Sequence, residues 1–366
     1  MNMYIRSYIS LIILSLTTIL YWSSCCPSAF AQQTTTLGAP VTAVAILTKD
    51  DQGHKLKYPS SVFCDHKTGE IYVVSSGNAK VVIYSADYFP ETSIGKGRGI
   101  DAPEGVYVDK NGNIYIAQGP TAKHPAEITV LNAALFPVKQ IRFTGFKDAK
   151  MFVPVHIIQD RNGNFYVAGI NSLGIVVLDK NGKFLRKLIP QEHIAPAPAS
   201  EGMAGFLSHK RSYQQKSHIS KDSGKVVPVH VTDVTTDDRG RLFLLSEGTS
   251  KIYVYTPQED FLYSFGQKGG TMGKTSRPRG IAIDNGTDRV YVCDYMRHTI
   301  LAYTLGGKFI FEFGGKGWSV GWFNYPTSVA VDPHGNVIVA DLFNQRVQIL
   351  KIGKIPANRI IKKSEQ

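Results

Sequence analysis

Residues 326–350 read PTSVAVDPHGNVIVADLFNQRVQIL. A proline opens an apolar run that ends on Asp332, and the turn residues Gly335 and Asn336 follow. A second apolar run ends on Asp341, and a third begins at Arg346 after Asn344. Short Val/Ile/Leu runs bounded by Asp, Asn and Gly are strands joined by tight turns: β-branched residues fit the pleat, and Asn and Gly accept the positive φ such turns need. The same order recurs upstream, at 278–284 with 290–294, at 154–160 with 165–168, at 103–109 with 114–117 and at 59–65 with 71–74. A sixth copy runs from 231 to 237, with Val231 in place of the proline, and continues at 242–245.

The first residues of the copies stand at 59, 103, 154, 231, 278 and 326, so the spacings are 44, 51, 77, 47 and 48. The long spacing holds an insertion, placed at about residues 190–227. Each copy reads as four strands. Strand a runs from the anchor proline to the aspartate, b and c follow, and a further turn (Asn181 and Gly182, or Gly306 and Gly307) leads to strand d, as at 184–189, 261–265 and 309–313. One such sheet cannot bury both of its faces, but six arranged radially can. The fold class expected is all-β, a six-bladed β-propeller.

These motifs (Pro-x-x-Val/Ile-x-Val/Ile-Asp, Gly-Asn, an apolar strand ending in Ala-Asp, then Asn-x-Arg-Val) resemble NHL repeats, over about residues 41–352. The resemblance implies a six-bladed propeller. The last copy supplies strand c at 346–351 and then runs into a basic tail, whereas 41–47 is a spare strand ahead of the first anchor. That N-terminal strand is therefore expected to complete the last blade. The domain organisation expected is a signal peptide at 1–31, one propeller over 32–352 and a basic tail at 353–366.

The signal is read from Arg6, the apolar run 9–20 and Ala29-Phe30-Ala31, with cleavage after Ala31. A lipoprotein is the less favoured reading, because Trp22 stands three places before Cys25. No later stretch is apolar and long enough for a spanning helix. The location expected is periplasmic or secreted. Cleavage would leave only Cys64 and Cys293, far apart in the repeat order and without zinc spacing, so both read as buried core residues. The composition, 43% hydrophobic and 19% charged, excludes a disordered chain. Of the net charge of +12, +4 falls in 207–225 and +4 in 351–366. The basic character thus belongs to an insertion and a tail, not to a continuous nucleic-acid groove.

Strand a of every blade should line the central channel, which puts the two positions after each anchor around one mouth. There Glu104, His156, Asp233 and Arg279 are the candidate polar binding residues. An enzyme reading, a channel-mouth metal-dependent hydrolase or lyase, would use these same four. Peptidyl-hydroxyglycine amidating lyases share the repeat architecture, and the resemblance implies metal histidines directly after the repeat proline; no histidine stands there in this chain. Calcium-dependent six-bladed lactonases use channel Glu, Asn and Asp, which Glu104 and Asp233 match only in kind. No motif supports calcium or zinc, and no cofactor is expected. Asp294 and Asp341 recur at one repeat position, so they read as turn caps, pairing with Arg297 and Arg346, not as catalytic acids.

Because strands alternate in direction, b–c and d–a loops emerge on one face. The two longest departures from the repeat lie there, the b–c loop 119–127 and the d–a insertion 190–227 with Lys210, Arg211 and Lys216, and so does the d–a loop 314–325 with Trp318 and Trp322. Loops on a rigid scaffold carry specificity, and tryptophans are favoured contacts. The function expected is a non-enzymatic binding scaffold, monomeric, that takes an extracytoplasmic protein or an anionic envelope polymer on this face. An RNA-binding module is the remaining alternative, and export argues against it.

Overall fold

Twenty-six strands of a computed structural model build the protein, which is described over residues 40–194 and 225–353. The expected signal segment, Lys210, Arg211 and Lys216, and the basic tail beyond residue 353 lie outside the described residues. Strand β1 is Val41–Leu47. Blade 1 is β2–β5 (Pro59–Cys64, Ile71–Ser75, Lys80–Tyr84, Pro90–Ile94), and blade 2 is β6–β9 (Pro103–Val108, Ile114–Gln118, Glu127–Leu131, Pro137–Arg142). Blade 3 is β10–β13 (Val153–Gln159, Phe165–Ile170, Ile175–Leu178, Phe184–Leu188). A two-stranded ribbon, β14 (Gln191–Ile194) with β15 (Lys225–Pro228), forms the base of the insertion. Blade 4 is β16–β19 (Asp233–Thr236, Leu242–Ser246, Lys251–Tyr255, Phe261–Phe265), and blade 5 is β20–β23 (Pro278–Asp284, Arg289–Asp294, Thr299–Thr304, Phe309–Gly314). Blade 6 takes β24–β26 (Pro326–Val331, Val337–Asp341, Arg346–Ile352) from the end of the chain and β1 from its beginning, in the order β24-β25-β26-β1.

The ladder between β1 and β26 is antiparallel and runs from Val41 opposite Ile352 to Leu47 opposite Val347. Next to it, Gly353 N–H donates to the Pro40 carbonyl at 2.8 Å. Strand β1 is therefore the outer strand d of the sixth sheet, and the ring is latched by pairing the two ends of the fold.

The core explains why no blade stands alone. Buried side chains fall into six clusters, one for each contact between neighbouring blades. Val41 packs in the cluster between blades 5 and 6, and Leu47 packs in the one between blades 6 and 1. Strands b and c are buried along nearly their whole length, and Ile71–Ser75 and Ile175–Leu178 entirely so, because each carries apolar side chains to both neighbours. Cys64 and Cys293 are free thiols inside two of these clusters.

Strand a carries a further device. In all five blades whose anchor is proline, the register of a against b shifts right after the anchor, as between Pro278 and Gly280. The missing proline N–H removes one ladder bond and the bulge absorbs it. The residue after the anchor thus leaves the regular alternation, and the next one faces the axis.

Candidate functional site

The central channel is lined by strand a of all six blades and encloses about 460 Å³. Of the second positions after the anchors, Ser61, His156, Asp233 and Ser328 line it. Two of them accept hydrogen bonds from the next blade. Ser328 Oγ accepts the Val62 N–H at 3.2 Å, joining blade 6 to blade 1, and Asp233 Oδ2 accepts the Ile281 N–H at 2.9 Å, joining blade 4 to blade 5. Asp233 Oδ1 accepts its neighbour's Val234 N–H at 2.7 Å and lies 3.3 Å from His156 Nδ1 on blade 3. Where the second position is glycine, the adjacent backbone takes the space. A Cβ on Gly105 would lie 1.7 Å from the Val155 carbonyl oxygen, and one on Gly280 would lie 2.9 Å from Ser328 Cα. Polar fasteners thus join blades 3 to 4, 4 to 5 and 6 to 1, and close glycine contacts join blades 2 to 3 and 5 to 6.

Asp233 is buried, and burial pushes its carboxyl above the ordinary carboxylate range, against the attraction of His156 and two backbone N–H donors. Its oxygens are occupied by the fold. The four expected mouth residues do not form one set. His156 and Asp233 pair, whereas Arg279 turns at its bulge to Glu247 of the blade 4 b–c loop, with Nε 3.2 Å from Oε2. Glu104 stands apart beside Gly119, with no ion pair among the described residues, and burial raises its carboxyl. Among the described residues, no cluster of three or more His, Cys, Asp or Glu side chains could hold a metal ion.

The last residue of strand b is structural in four blades. Its side chain accepts the N–H of the residue two before the anchor: Ser75 from Lys57, Gln118 from Asp101, Asp294 from Ser276 and Asp341 from Asn324. Asp341 also takes Arg346 Nε at 2.8 Å, whereas the Arg297 guanidinium goes to Glu312, with Nη2 2.6 Å from Oε1, and only the Arg297 backbone N–H donates to Asp294 Oδ1, at 3.2 Å. The aspartates that end strand a hold their own turns in the same manner, as Asp332 does by accepting from His334 and Asn336.

On the b–c/d–a face the two tryptophans separate. Trp318 is 69% exposed. Trp322 is half-buried; its ring lies against Gly315 and Gly317, and its carbonyl accepts from Arg346 and Gln348. Trp322 is therefore the wedge that shapes the loop and Trp318 is the residue it presents.

The same face carries a strip of rings that the repeat pattern does not announce. Tyr58 meets Phe343 with centroids 6.0 Å apart, Phe343 meets Tyr325 at 5.3 Å, and Tyr325 meets Tyr295 at 4.6 Å. The Arg279 guanidinium lies 4.6 Å from the Tyr295 centroid, and Arg277 bonds to Glu247 beside it. Apart from Arg279, which stands at the start of strand a of blade 5, these groups come from d–a and b–c loops of blades 4, 5, 6 and 1. Tyr58 and Tyr325 both have positive φ (49° and 59°) and both directly precede an anchor proline. A bulky side chain in that region, ahead of a proline, costs about 1–3 kcal/mol. Tabulating the residue before each anchor (Tyr58, Ala102, Val153, His230, Arg277, Tyr325) would have exposed the pair.

His298 meets the strip from below. Its Nδ1 accepts the Tyr325 N–H at 2.9 Å, which requires that nitrogen to be unprotonated. Burial and the nearby Lys316 hold its pKa below the usual histidine value, with Asp294 and Asp341 opposing. As pH falls through the unfolded value, about 6.5, the unfolded chain takes a proton that the folded one refuses, so stability is complete above that pH and declines below it. Replacing His298 by Asn, which tolerates the 56° φ, should make the fall in stability between pH 7.5 and 5.5 shallower. The difference is at most about 1.4 kcal/mol per pH unit. Urea titrations of both proteins at several pH values measure it, and parallel curves would assign the acid sensitivity elsewhere.

Six radial four-stranded sheets around a channel define a β-propeller. The NHL repeat family pattern matches residues 323–350, on the last blade. The chain is a six-bladed β-propeller whose last blade matches the NHL repeat, and the other five blades repeat the same four-stranded plan. No curated protein matches the sequence. Among solved structures, it is similar to a protein of unknown function from Bacteroides thetaiotaomicron at 14% identity and a TM-score of 0.57, over 85% of this chain and 76% of that one. An auxiliary nutrient binding protein from Bacteroides ovatus aligns at 14% identity and a TM-score of 0.55, over 86% and 76%. Virginiamycin B lyase from Staphylococcus aureus aligns at 10% identity and a TM-score of 0.50, over 84% and 98%. These likenesses show the fold alone.

Proposed function

We propose that this propeller is a non-enzymatic binding module whose working surface is the b–c/d–a face, and that its partner is an extracytoplasmic protein or an anionic polymer of the cell envelope. The observation that carries this reading is the grouping of exposed Trp318, the aromatic strip and the arginines on that one face. Large aromatic side chains left in water on a rigid scaffold are favoured contact residues. Two further points support it: the export expected from residues 1–31, and the description of fold neighbours as nutrient-binding proteins. The hydrolase or lyase alternative needs Glu104, His156, Asp233 and Arg279 around one substrate. Their separation, and the use of Asp233 as a fastener between blades, weigh against it.

The test is capture from envelope extract with the wild type, a Trp318→Ala variant, and a variant shortened across 200–225. Trp318→Ala should weaken capture about ten-fold or more, at any salt concentration. Shortening the insertion should remove most of the salt dependence, because Lys210, Arg211 and Lys216 lie within it. Equal capture by all three folded proteins would place the working surface elsewhere.

A further inference from the structure

We infer that the strip Tyr58–Phe343–Tyr325–Tyr295 with Arg277 and Arg279 is a binding site for an acidic saccharide chain, its sugar faces lying on the rings and a uronate carboxylate at the arginine end. This rests on the b–c/d–a face being the working one, and it names a site and a ligand class there.

Charge sets the ligand at the arginine end. Arg277 and Arg279 share a single carboxylate, Glu247, so one positive charge is left over. Arg279 Nε is buried within ion-pair reach of Glu247 without a properly directed hydrogen bond, while the Arg279 side chain as a whole is 38% exposed, so its guanidinium can meet a ligand from the solvent side. A planar guanidinium recognises a carboxylate through paired N–H donors. A surplus of one charge suits one carboxylate. A polynucleotide contacting several phosphates would call for a basic track along its backbone.

Shape sets the rest. Tyr58 and Phe343 are 45% and 41% exposed. Successive rings are inclined, at 81° between Tyr58 and Phe343 and 78° between Phe343 and Tyr325, so no parallel slot for stacked bases is formed. The strip is built from loops, so it offers no free strand edge on which an extended peptide could pair. What remains is a shallow, apolar, polar-edged surface, suited to the C–H face of a sugar ring whose hydroxyls stay at the rim. The two tyrosines keep an unfavourable backbone conformation at residues 58 and 325, and strain of this kind is held at ligand sites when the side chain has a task.

The experiment measures binding of hexagalacturonate, neutral galactohexaose and an oligothymidylate to the whole protein by calorimetry. Hexagalacturonate should bind, galactohexaose should bind at least ten-fold more weakly, and the oligothymidylate should not compete. Phe343→Ala and Arg279→Gln should each weaken hexagalacturonate binding at least ten-fold. Tyr58→Gly separates site from scaffold: relief of the φ strain should leave the melting temperature unchanged or raised while binding is lost. Absence of hexagalacturonate binding overturns the inference, as does binding that all three variants retain. Tighter binding of the oligothymidylate through the same residues overturns it in favour of nucleic acid. Loss of envelope capture in Trp318→Ala alongside full capture by Phe343→Ala would sink the strip and leave the working face standing. Undiminished capture in both would sink both.

Discussion

A protein lacking residues 41–47 should fail to form a stable ring. The deletion removes the outer strand of blade 6, leaves the β26 ladder from Val347 to Ile352 unpaired, and takes Val41 and Leu47 out of two inter-blade clusters. Burying one such side chain is worth about 1.5–3 kcal/mol. The loss of both, about 3–6 kcal/mol, reaches the lower end of the stability of an ordinary domain, about 5–15 kcal/mol, before the lost ladder bonds are counted. An open strand edge also invites pairing between molecules. Thermal unfolding and size-exclusion chromatography should show a melting temperature lowered by more than 10 °C, or aggregation. A milder variant, Leu47→Ala, should cost about 2–5 kcal/mol and leave a soluble protein. A truncated protein that melts with the intact one would mean that β1 closes nothing.

The second large effect is expected at Asp341. Its carboxylate is buried and accepts from Asn324, Asn344, Arg346 and Gln348. Changing it to Ala strands the buried Arg346 guanidinium, and breaking such a pair from one side costs about 3–5 kcal/mol. The Arg346 bonds to the Ser319 and Trp322 carbonyls, which fold the loop carrying Trp318, should loosen with it. Denaturant unfolding gives the stability loss, and it should exceed that of Glu104→Ala several-fold, since Glu104 has no ion-pair partner among the described residues. A catalytic Asp341 would behave oppositely, leaving a stable protein without activity.

The fold was legible because its determinants are local and repeated. Each anchor proline, each turn aspartate and each Gly-Asn pair sits within a few residues of what it shapes, and six copies average out the exceptions. The reading of Asp294 and Asp341 as caps came from recurrence alone, and the hydrogen bonds explain it; the Arg297 guanidinium, expected on Asp294, goes to Glu312 on strand d, and Asp294 holds only the Arg297 backbone N–H. The site was less legible for a physical reason. Its members meet across blades, and nothing near Tyr58 in the chain foretells Phe343. The bulge after each anchor proline was also invisible, and it divides the expected mouth set by turning Arg279 away from the axis while His156 stays on it. Trp318 and Trp322 looked alike as sequence, and only packing on Gly315 and Gly317 tells wedge from contact.

The latch between β1 and β26 also sets which way the molecule faces. The described chain enters the ring at Pro40 and leaves it at Gly353, bonded side by side. Strand d begins, and strand c ends, on the a–b/c–d side, opposite the rings of Tyr58 and Phe343. Anything fastened to either end therefore holds the propeller by its back, like a dish on a single stem, and turns the aromatic surface outward from its point of attachment. A force drawing the two ends apart would peel the ladder one rung at a time from Val41 and Ile352, so the ring is weakest against tension in the place where it is tied.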